Sequence, residues 1–338
     1  MNTLQKPLRI LVVRFSSIGD IVLTTPLVRC LAQQLPQAEI HYATFAKYHS
    51  VLVVNPFIRK FHLLAENNWK DFLHDLQTEN FDYVIDLHHN LRTLRIKQKL
   101  HTNSFSFPKL NVQKWLLVNF KWNIMPDVHI VDRYMETVKS LNVQYDGEGL
   151  DFFIAKEAQN LSEIFTFQKP FIALAIGGQH ATKRLPADKL IELCNLLRQY
   201  PLVLLGGKED AAIAQEIVTQ SEAQIVNACG QLNLAQSAEV IRRAGFIVSH
   251  DTGLMHIAAA LDKNMVSVWG NTVPVLGMYP FYKNNSTAKH FMAEVANLGC
   301  RPCSKIGYNT CPKKHFRCMR DINTKAIADF VIKNLPSL

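Results

Sequence analysis

Several features of other protein classes are absent from this sequence of 338 residues. No apolar run reaches the ~18 residues that a membrane-spanning helix needs. The N-terminus does not resemble a secretory signal peptide, because Arg9, Arg14 and Asp20 interrupt any apolar core. The glycine patterns of Rossmann dinucleotide sites and of P-loops do not occur, which disfavours a dinucleotide oxidoreductase and a P-loop NTPase. We therefore expect a cytoplasmic protein that belongs to neither enzyme class.

Charged residues are also modest in number, at 19% of the chain against 48% apolar residues. This composition is typical of a globular protein, and the length suffices for about two domains. The net charge of +9 favours acidic partners such as phosphates, nucleic acid or an anionic membrane face. A uniformly basic surface without a specific role explains the charge equally well. The basic residues are scattered and form no long run, which argues against nucleic acid.

One stretch near the N-terminus combines a predicted strand with a candidate catalytic carboxylate. Residues 8–13 are a run of β-branched and leucine residues that predicts a strand buried on both faces. Gly19 permits a tight turn, and Asp20 occupies the expected N-cap of a helix over 21–35. Asp20 is thus expected at the carboxyl edge of a strand, where open α/β sheets bind ligands. Helix capping alone explains this aspartate equally well.

The rest of the first half alternates strand-like and helix-like segments. Strands are predicted at 39–45, 60–64 and 81–87, and helices at 71–79 and 131–141. The strand at 81–87 brings polar residues to the same sheet edge as Asp20. These residues are Asp86, His88, His89, Asn90 and Arg92.

The stretch 104–127 is both aromatic and basic. Ordinary packing is the favoured interpretation, since large apolar side chains mostly lie inside a protein. A flexible loop that faces the acceptor or a membrane is the alternative. The residues concerned are Phe105, Phe107, Trp115, Phe120 and Trp122, beside Lys109, Lys114 and Lys121.

The second half repeats the alternation after a polar stretch, 155–169, which is the expected linker. Helices are predicted at 187–197 and 209–218. Five apolar runs that end in glycine or polar residues predict a second parallel sheet. They lie at 171–178, 201–207, 224–230, 245–253 and 265–270. We therefore predict an α/β protein with two Rossmann-like domains whose parallel sheets face a cleft.

Residues suited to phosphate binding follow two of these predicted strands. Gly177 and Gly178 let backbone N–H groups approach a ligand closely, and Lys183 follows them. The Asp-Thr-Gly segment 251–253 precedes a helix whose N-terminus offers free N–H groups and a positive dipole end. His256 lies one turn into that helix. Turn glycines and helix caps account for the same residues without any ligand.

Two of these segments resemble known motifs. RFSSIGDIVLTTP resembles the first-strand motif of the glycosyltransferase family 9 heptosyltransferases, and HDTGLMHIAAALDKNMVSVWGNTVP resembles their nucleotide-sugar motif. The KRLP segment and a CRPC…C…C tail are similar to those of some members. The resemblance implies a GT-B fold, with an acceptor-binding domain at 1–160 and a nucleotide-sugar-binding domain at 161–320. It also implies that a C-terminal helix within 321–338 packs back on the first domain.

The activity that the resemblance implies is transfer of heptose from ADP-heptose to the lipopolysaccharide inner core (Kdo and heptose on lipid A), with inversion. No cofactor or metal would be required for transfer. The protein would be a monomer, cytoplasmic, and peripheral to the inner face of the membrane. A GT-B enzyme with another donor or acceptor, such as an epimerase, and a non-catalytic module that binds anionic ligands remain alternatives.

The resemblance also assigns roles to individual residues. Asp20 matches the general base, and Lys183 matches a lysine that binds the donor phosphate and assists catalysis. The other donor-binding positions are Gly177, Gly178, Asp251, Thr252, Gly253 and His256, with Glu209 or Asp210 toward the ribose. Acceptor-binding candidates come from the residues themselves, since arginine forks fit carboxylates and phosphates. They are Arg14, Ser17, Gly19, Asp86, His88 and Arg92, with Arg133 and His89 as further candidates. A surface or interdomain position explains these arginines and histidines equally well.

The seven cysteines fall into two groups. Cys30, Cys194 and Cys229 are isolated in apolar contexts and are expected to be buried. The other four could hold a structural zinc ion, while disulfides are disfavoured in the cytoplasm and unligated thiols remain open. This second group has the spacing C-x2-C-x7-C-x6-C, at Cys300, Cys303, Cys311 and Cys318.

Overall fold

The computed structural model describes residues 6–161 and 170–335. The strands of this described part are β1 (Leu8–Val13), β2 (Ala38–Phe45), β3 (Lys60–Leu64), β4 (Tyr83–Asp86), β5 (Asn103–Ser106), β6 (Ile172–Ala175), β7 (Leu202–Leu205), β8 (Ile225–Asn227), β9 (Phe246–His250), β10 (Met265–Trp269) and β11 (His290–Glu294). Its α-helices are α1 (Ile18–Val22), α2 (Thr25–Gln34), α3 (Trp69–Thr78), α4 (Leu91–Leu100), α5 (Asn111–Phe120), α6 (Ile130–Met135), α7 (Ala187–Leu196), α8 (Ala211–Gln220), α9 (Leu234–Arg243), α10 (Gly253–Ala260), α11 (Arg317–Arg320) and α12 (Thr324–Asn334). Short 3-10 helices lie at Ala46–Val51, Glu136–Leu141, Lys156–Gln159, Ala181–Lys183, Lys208–Asp210 and Pro274–Leu276.

The described residues form two compact units. Unit 1 extends to Lys109 and includes Val128–Phe153, whereas unit 2 includes Leu110–Asp127 and the chain from Ile154 onward. Sequence analysis placed the boundary at residue 160 and left 110–127 in the first domain; the structure assigns this segment to unit 2. Of the expected linker, 162–169 lies outside the described residues.

The sheet of unit 1 is parallel, and its strands lie in the order β3-β2-β1-β4-β5. The central strand β1 is buried from Ile10 to Val13, as its apolar run predicted. Val13 pairs with Ala43 of β2 and with Asp86 of β4, so the ends of β1 and β4 are neighbours. The chain order reverses between these two strands, which is where open α/β sheets bind ligands.

The helix predicted over 21–35 is divided into α1 and α2. Pro26 lies in the first turn of α2, where its missing N–H costs no hydrogen bond, but it cannot continue a helix from α1. Helix α1 begins at Ile18, after its N-cap Ser17, so Asp20 is the third residue of the helix and not its N-cap. The helix predicted at 131–141 consists of α6 followed by a 3-10 helix.

The sheet of unit 2 is also parallel, with the order β11-β10-β9-β6-β7-β8. This is the doubly wound order in which the direction of winding reverses between the first and fourth strands, here β6 and β9. Ala175 of β6 pairs with Ser249 of β9, so the loops that follow these strands are adjacent. The five strands predicted from the apolar runs are confirmed, and the half-exposed edge strand β11 was not predicted.

The C-terminal helix α12 packs within unit 2. Its buried residues Ile327, Ala328 and Val331 belong to the same apolar cluster as Leu190 and Leu193 of α7. The family resemblance implied packing on the first domain. The apolar face of α12 is instead buried in the unit 2 core, which corrects that expectation.

The aromatic and basic stretch contains β5 and α5. Phe107 is buried and packs against Tyr134, with ring centroids 4.9 Å apart. Trp115, Phe120 and Trp122 are exposed, so the expectation of ordinary packing is wrong for these three residues.

In the part of the chain that the structure describes, no helix combines the length and the apolar character that a bilayer crossing requires.

Candidate active site

Asp20 lies at the carboxyl edge of the unit 1 sheet and is held by two neighbours. Oδ2 accepts hydrogen bonds from the backbone N of Ser17 at 3.1 Å and from its Oγ at 2.7 Å. Oδ1 forms an ion pair with a guanidinium nitrogen of Arg14. The side chain is 19% exposed, so this oriented carboxylate is still accessible from solvent.

Arg14 anchors this carboxylate to the sheet. Its Nε donates to the carbonyl of Ser16 at 2.7 Å, and Nη1 donates to the carbonyl of Leu87 at 2.6 Å. Burial is the largest single influence and opposes the charge, but Asp20 and the other nearby acidic groups together raise the pKa of Arg14 above its ordinary value. Arg14 was expected to bind the acceptor; in the structure it positions Asp20.

The turn after β4 lies at the same edge and depends on Asp86. This carboxylate is fully buried, accepts hydrogen bonds from the backbone N of His88 and His89, and pairs with Lys97 at 3.1 Å. Asp86 therefore shapes the turn, and the expectation that it contacts the acceptor is corrected. Burial, followed by the charge of Arg14, lowers the pKa of His88 to about 4, so this imidazole is neutral at pH 7.

A cavity of about 980 Å³ opens beside this turn, within unit 1. Its lining includes the aromatic rings of Phe45 and Trp69 and the charged side chains of Lys47, Arg92 and Arg95. The Arg92 guanidinium lies 5.1 Å from the centroid of the Phe45 ring, which fixes the cation against an aromatic face. Glu66 also lines the cavity, so the three cations leave an excess of positive charge beside apolar walls, which suits an anionic ligand that also has an apolar surface.

Arg133, the other arginine expected near the acceptor, is 3% exposed and donates to the carbonyl of Pro108. Burial lowers its pKa from the ordinary value. Arg133 thus contributes to the interior of unit 1 and does not line the cavity. Of the expected arginines, Arg92 alone belongs to that lining within the described residues.

In unit 2, the loops after β6 and β9 approach each other closely. A Cβ atom placed on Gly178 would lie 3.1 Å from Cγ2 of Thr252, so a side chain at this position would crowd the loop. Thr252 is the N-cap of α10, whose first residue is Gly253. The unsatisfied N–H groups and positive end of this helix are suited to a phosphate.

Lys183 places a cation beside that helix end. Its Nζ lies 2.6 Å from Oδ2 of Asp251, which also accepts a hydrogen bond from Thr272 at 2.8 Å. The lysine side chain is 17% exposed. The structure thus brings together Gly178, Lys183, Asp251, Thr252 and Gly253, all of which were predicted from the sequence.

Three further donor-site predictions have different outcomes. His256 is 2% exposed, so its ring lies in the interior, and its contact with a ligand stays a prediction. Asp210 is buried, accepts from the backbone N of Gly207 at 2.9 Å and pairs with Arg184 at 2.8 Å. Its neighbour Glu209 is exposed and is therefore the available carboxylate of the pair. A Cβ atom on Gly177 would overlap Asp210 Oδ2, so this glycine serves packing.

The sequence matches a known enzyme family. The model of glycosyltransferase family 9 (heptosyltransferase) matches residues 69–308, more than half of the chain. The chain belongs to this family. Lipopolysaccharide heptosyltransferase 1 of Campylobacter coli is 25% identical over 304 residues, which cover 82% of this chain and 86% of the relative.

Solved structures show the same fold. The family 9 glycosyltransferase of Veillonella parvula DSM 2008 aligns with a TM-score of 0.77 and 22% identity over 97% of both chains. The E. coli heptosyltransferase WaaC with ADP aligns with a TM-score of 0.70 and 22% identity, over 97% of this chain and 100% of WaaC. The fold is GT-B, and the protein is a glycosyltransferase of the lipopolysaccharide heptosyltransferase family, which confirms the predictions of family, fold class and enzyme class.

The residues that brace the unit 2 loops of this family 9 chain were not predicted from the sequence. The Arg301 guanidinium donates to the carbonyls of Gly270, Thr272 and Val295 at 2.5 to 3.0 Å, which holds the chain after β10. Thr182, next to Lys183, exchanges backbone and hydroxyl hydrogen bonds with Tyr308. The only sequence signal for Arg301 was its place between the two cysteines of CRPC.

The four C-terminal cysteines lie in the same segment. Sγ of Cys300 is 3.7 Å from Nε2 of His315, and Cys303 interacts electrostatically with Cys300 and Cys311. Burial and the neighbouring thiols raise the pKa of Cys303 to about 11 and that of Cys318 to about 12. Without a bound cation, the thiols of Cys303 and Cys318 are therefore protonated at pH 7. Cys30, Cys194 and Cys229 are buried, as predicted.

Proposed function

We propose that this protein transfers a heptose from ADP-heptose to the lipopolysaccharide inner core, by a single displacement that inverts the anomeric centre. Unit 1 binds the acceptor and supplies the base, and unit 2 binds the nucleotide sugar. The observation that carries the proposal is the pairing of functions at the two sheet edges. Asp20 is an oriented, accessible carboxylate on one sheet, and Lys183 lies at a helix N-terminus on the other.

The proposed chemistry requires one proton transfer and one bond exchange. The acceptor hydroxyl oxygen attacks the anomeric carbon while Asp20 takes its proton. The bond from the anomeric carbon to the β-phosphate oxygen breaks, and its electron pair leaves with ADP. Lys183 and the N–H groups at the start of α10 stabilise the negative charge that develops on this diphosphate. No cofactor takes part in this step.

The acceptor side is proposed to use the cavity beside the turn after β4. Lys47, Arg92 and Arg95 would bind carboxylates or phosphates of the inner core, since arginine forks match such anions. Ser17 and Gly19 adjoin the base, and the neutral His88 follows β4 at the same edge. On the donor side, Glu209 is proposed to meet the adenosine ribose.

The proposal is tested by incubating the protein with ADP-heptose and heptose-deficient lipopolysaccharide and reading the product by mass spectrometry. A mass increase of one heptose on the acceptor supports it. A parallel panel of UDP- and GDP-sugars identifies another donor if one is used. Salt-sensitive binding of lipopolysaccharide without transfer of any of these sugars would instead indicate a non-catalytic binding protein.

We further propose that the protein is a cytoplasmic monomer that contacts the inner leaflet through the exposed aromatic surface of 112–124. Trp115 and Trp122 are 56% and 65% exposed, and the Phe120 ring lies between 5.2 and 5.6 Å from theirs. Lys114 and Lys121 belong to the same segment. Aromatic rings beside cations suit an anionic membrane interface.

This proposal predicts that the protein co-sediments with anionic phospholipid vesicles and far less with neutral ones. Trp115→Ala/Trp122→Ala should reduce the bound fraction severalfold. Met292→Ala, which removes an exposed apolar side chain from β11, is the matched control. Equal binding by both variants would contradict the assignment of this surface.

For the cysteine segment we propose a structural zinc site that would form when Cys300, Cys303, Cys311 and Cys318 close around an ion. Among the described residues, no three of these sulfur atoms lie within 4.8 Å of one another, so the segment must tighten to bind it. A metal would replace the thiol protons and tie this segment together beside Arg301 and Tyr308, which brace the donor-side loops. Metal analysis of protein purified without added zinc should find close to one equivalent, with iron measured alongside because thiolates also bind it. Less than about a tenth of an equivalent of either metal would contradict the site.

A further inference from the structure

A second group of metal-ligating side chains lies inside unit 1, apart from Asp20. His41 is on β2, and His62 is on the neighbouring β3. Both rings pack against Phe81 on the sheet face covered by α3. Glu79 follows the last turn of α3, and its backbone carbonyl accepts from Arg9 of β1 at 2.7 Å. Arg9 lies near the start of β1, so this group is toward the amino ends of the strands.

The two histidines form a hydrogen-bonded chain. His62 Nδ1 contacts Oδ2 of Asp75, and His62 Nε2 lies 2.9 Å from His41 Nδ1. Since Nδ1 of His62 faces a carboxylate, it carries the hydrogen, and its Nε2 offers a lone pair toward His41. This tautomer is the one in which Nε2 can ligate a metal while a carboxylate orients the ring through Nδ1.

The ligand atoms are close enough to converge on one ion. One nitrogen of His41, one nitrogen of His62 and one carboxylate oxygen of Glu79 all lie within 4.8 Å of one another. Ligand atoms at the corners of a tetrahedral zinc site are about 3.4 Å apart, given bonds of about 2.0 to 2.2 Å. The two ring nitrogens, now 2.9 Å apart, would separate by about half an ångström, and the carboxylate oxygen would come to about 3.4 Å from both.

We propose that His41, His62 and Glu79 form a binding site for a divalent transition-metal ion of the zinc class, with Asp75 positioning His62. The ion takes the place of the hydrogen between the two rings. His41 then carries its hydrogen on Nε2, which makes no hydrogen bond within the described residues, so none is broken there. Both histidines are almost fully buried, at 2% and 1% exposure.

Lys60 is the competitor that holds the carboxylates without the metal. Its Nζ lies 2.6 Å from Glu79 Oε1 and 2.9 Å from Asp75 Oδ1. The lysine side chain is 43% exposed and can turn into solvent when a metal arrives. Two cations, Arg9 and Lys60, face three carboxylates in this group, those of Glu39, Asp75 and Glu79. The formal net charge is therefore negative, which favours an additional cation.

The experiment is a calorimetric titration of the full chain with zinc chloride, together with measurement of bound metal after dialysis. The unaltered protein should bind one zinc ion that His62→Gln does not bind. His74→Gln, which changes an exposed histidine on the same helix α3, is the matched control and should leave binding unchanged. Because the cysteine segment is intact in all three proteins, any zinc it holds cancels in the comparison.

Substitutions at Glu79 and Lys60 keep the test decisive if the histidine variant fails to fold, because neither side chain is fully buried. Glu79→Gln should weaken zinc binding about tenfold or more, and Lys60→Met should tighten it by removing the competing cation. The rise in melting temperature that zinc causes should follow the same order. It should be largest for Lys60→Met, intermediate for the unaltered protein and smallest for Glu79→Gln. Equal zinc affinity in the unaltered protein, Glu79→Gln and Lys60→Met would overturn the site and leave the histidines as a buried polar chain.

Discussion

The carboxyl edges of the two sheets carry different kinds of functional group. The edge of unit 1 is built from side chains, because Arg14 spans two backbone carbonyls and the carboxylate of Asp20. The edge of unit 2 is built from backbone, because Gly178 and Thr252 bring two loops together at the start of α10. A base needs one oriented oxygen, whereas a diphosphate needs several N–H groups and a diffuse positive potential. The difference therefore fits the two chemical tasks proposed for these edges.

The strongest test of this contrast is at Asp20. Asp20→Asn should lower kcat by about 10² to 10⁴, because the amide cannot take the proton, while the KM for the nucleotide sugar changes little. Asp71→Asn, an exposed change on α3, serves as the control. Turnover near that of the unaltered protein, measured by coupled detection of ADP release, would remove Asp20 from the mechanism.

At the other edge, Lys183→Ala should affect binding and turnover together. Loss of the cation weakens the ground-state contact with the diphosphate and the stabilisation of the leaving group, each by about tenfold. Lys183→Arg should recover part of the loss in affinity, because it retains the charge. Initial rates at varied nucleotide-sugar concentration separate the two effects, and unchanged kinetics would exclude the phosphate contact.

The brace behind the unit 2 edge is tested by Gly307→Ala. Gly307 has φ of +135°, which L residues rarely adopt, and an added Cβ atom would lie 2.5 Å from Cβ of His180. We expect a loss of about 1 to 3 kcal/mol of stability and a raised KM for the nucleotide sugar. Denaturant unfolding and donor kinetics measure the two. A variant as stable as the parent would show that this loop does not support the edge.

The smallest expected difference concerns acid stability. Burial, together with the charge of Arg184, lowers the pKa of His250 to about 4, although backbone hydrogen bonds and Asp251 oppose the shift. An unfolded histidine has a pKa near ~6.5, so the unfolded chain takes up the proton first as the pH falls. Stability is therefore complete above about pH 6.5 and is lost as the pH falls toward 4, by about 2 kcal/mol at pH 5.

His88 provides the comparison in unit 1, since its pKa is also lowered to about 4 but its ring is only partly buried. His250→Asn should therefore remove more of the difference in unfolding free energy between pH 7 and pH 5 than His88→Asn does. Denaturant titrations of both variants at the two pH values measure this. A larger effect at His88 would contradict the comparison.

Local signals predicted one group of features because they depend on residues close in the chain. The buried strands β1, β6, β7, β9 and β10 are continuous apolar runs, and a fully buried parallel strand requires such a run. The edge strand β11 has no such run, because it is half exposed, and it escaped prediction. The division into α1 and α2 could have been inferred from Pro26, whose ring cannot follow a helical turn.

The roles of individual charged residues required the tertiary structure. Asp86 and Asp210 lie at or after the end of an apolar strand, where a ligand-binding carboxylate is expected. Both are buried and accept hydrogen bonds from neighbouring backbone N–H groups instead. Glu209 and Asp210 are adjacent in sequence, and only burial distinguishes them. Arg301 lies more than thirty residues from Gly270, whose carbonyl it binds, so no local pattern identifies this contact.

The sequence by itself determined the alternation of buried strands and helices, the family, and the placement of Asp20 and Lys183 at strand ends. These depend on apolar periodicity and on short motifs, which are local. Only the tertiary structure decided which carboxylates remain accessible, where α12 packs, and that His41, His62 and Glu79 meet. Burial and side-chain convergence arise from contacts between residues distant in the chain, and such contacts exist only after the sheet has brought those residues together.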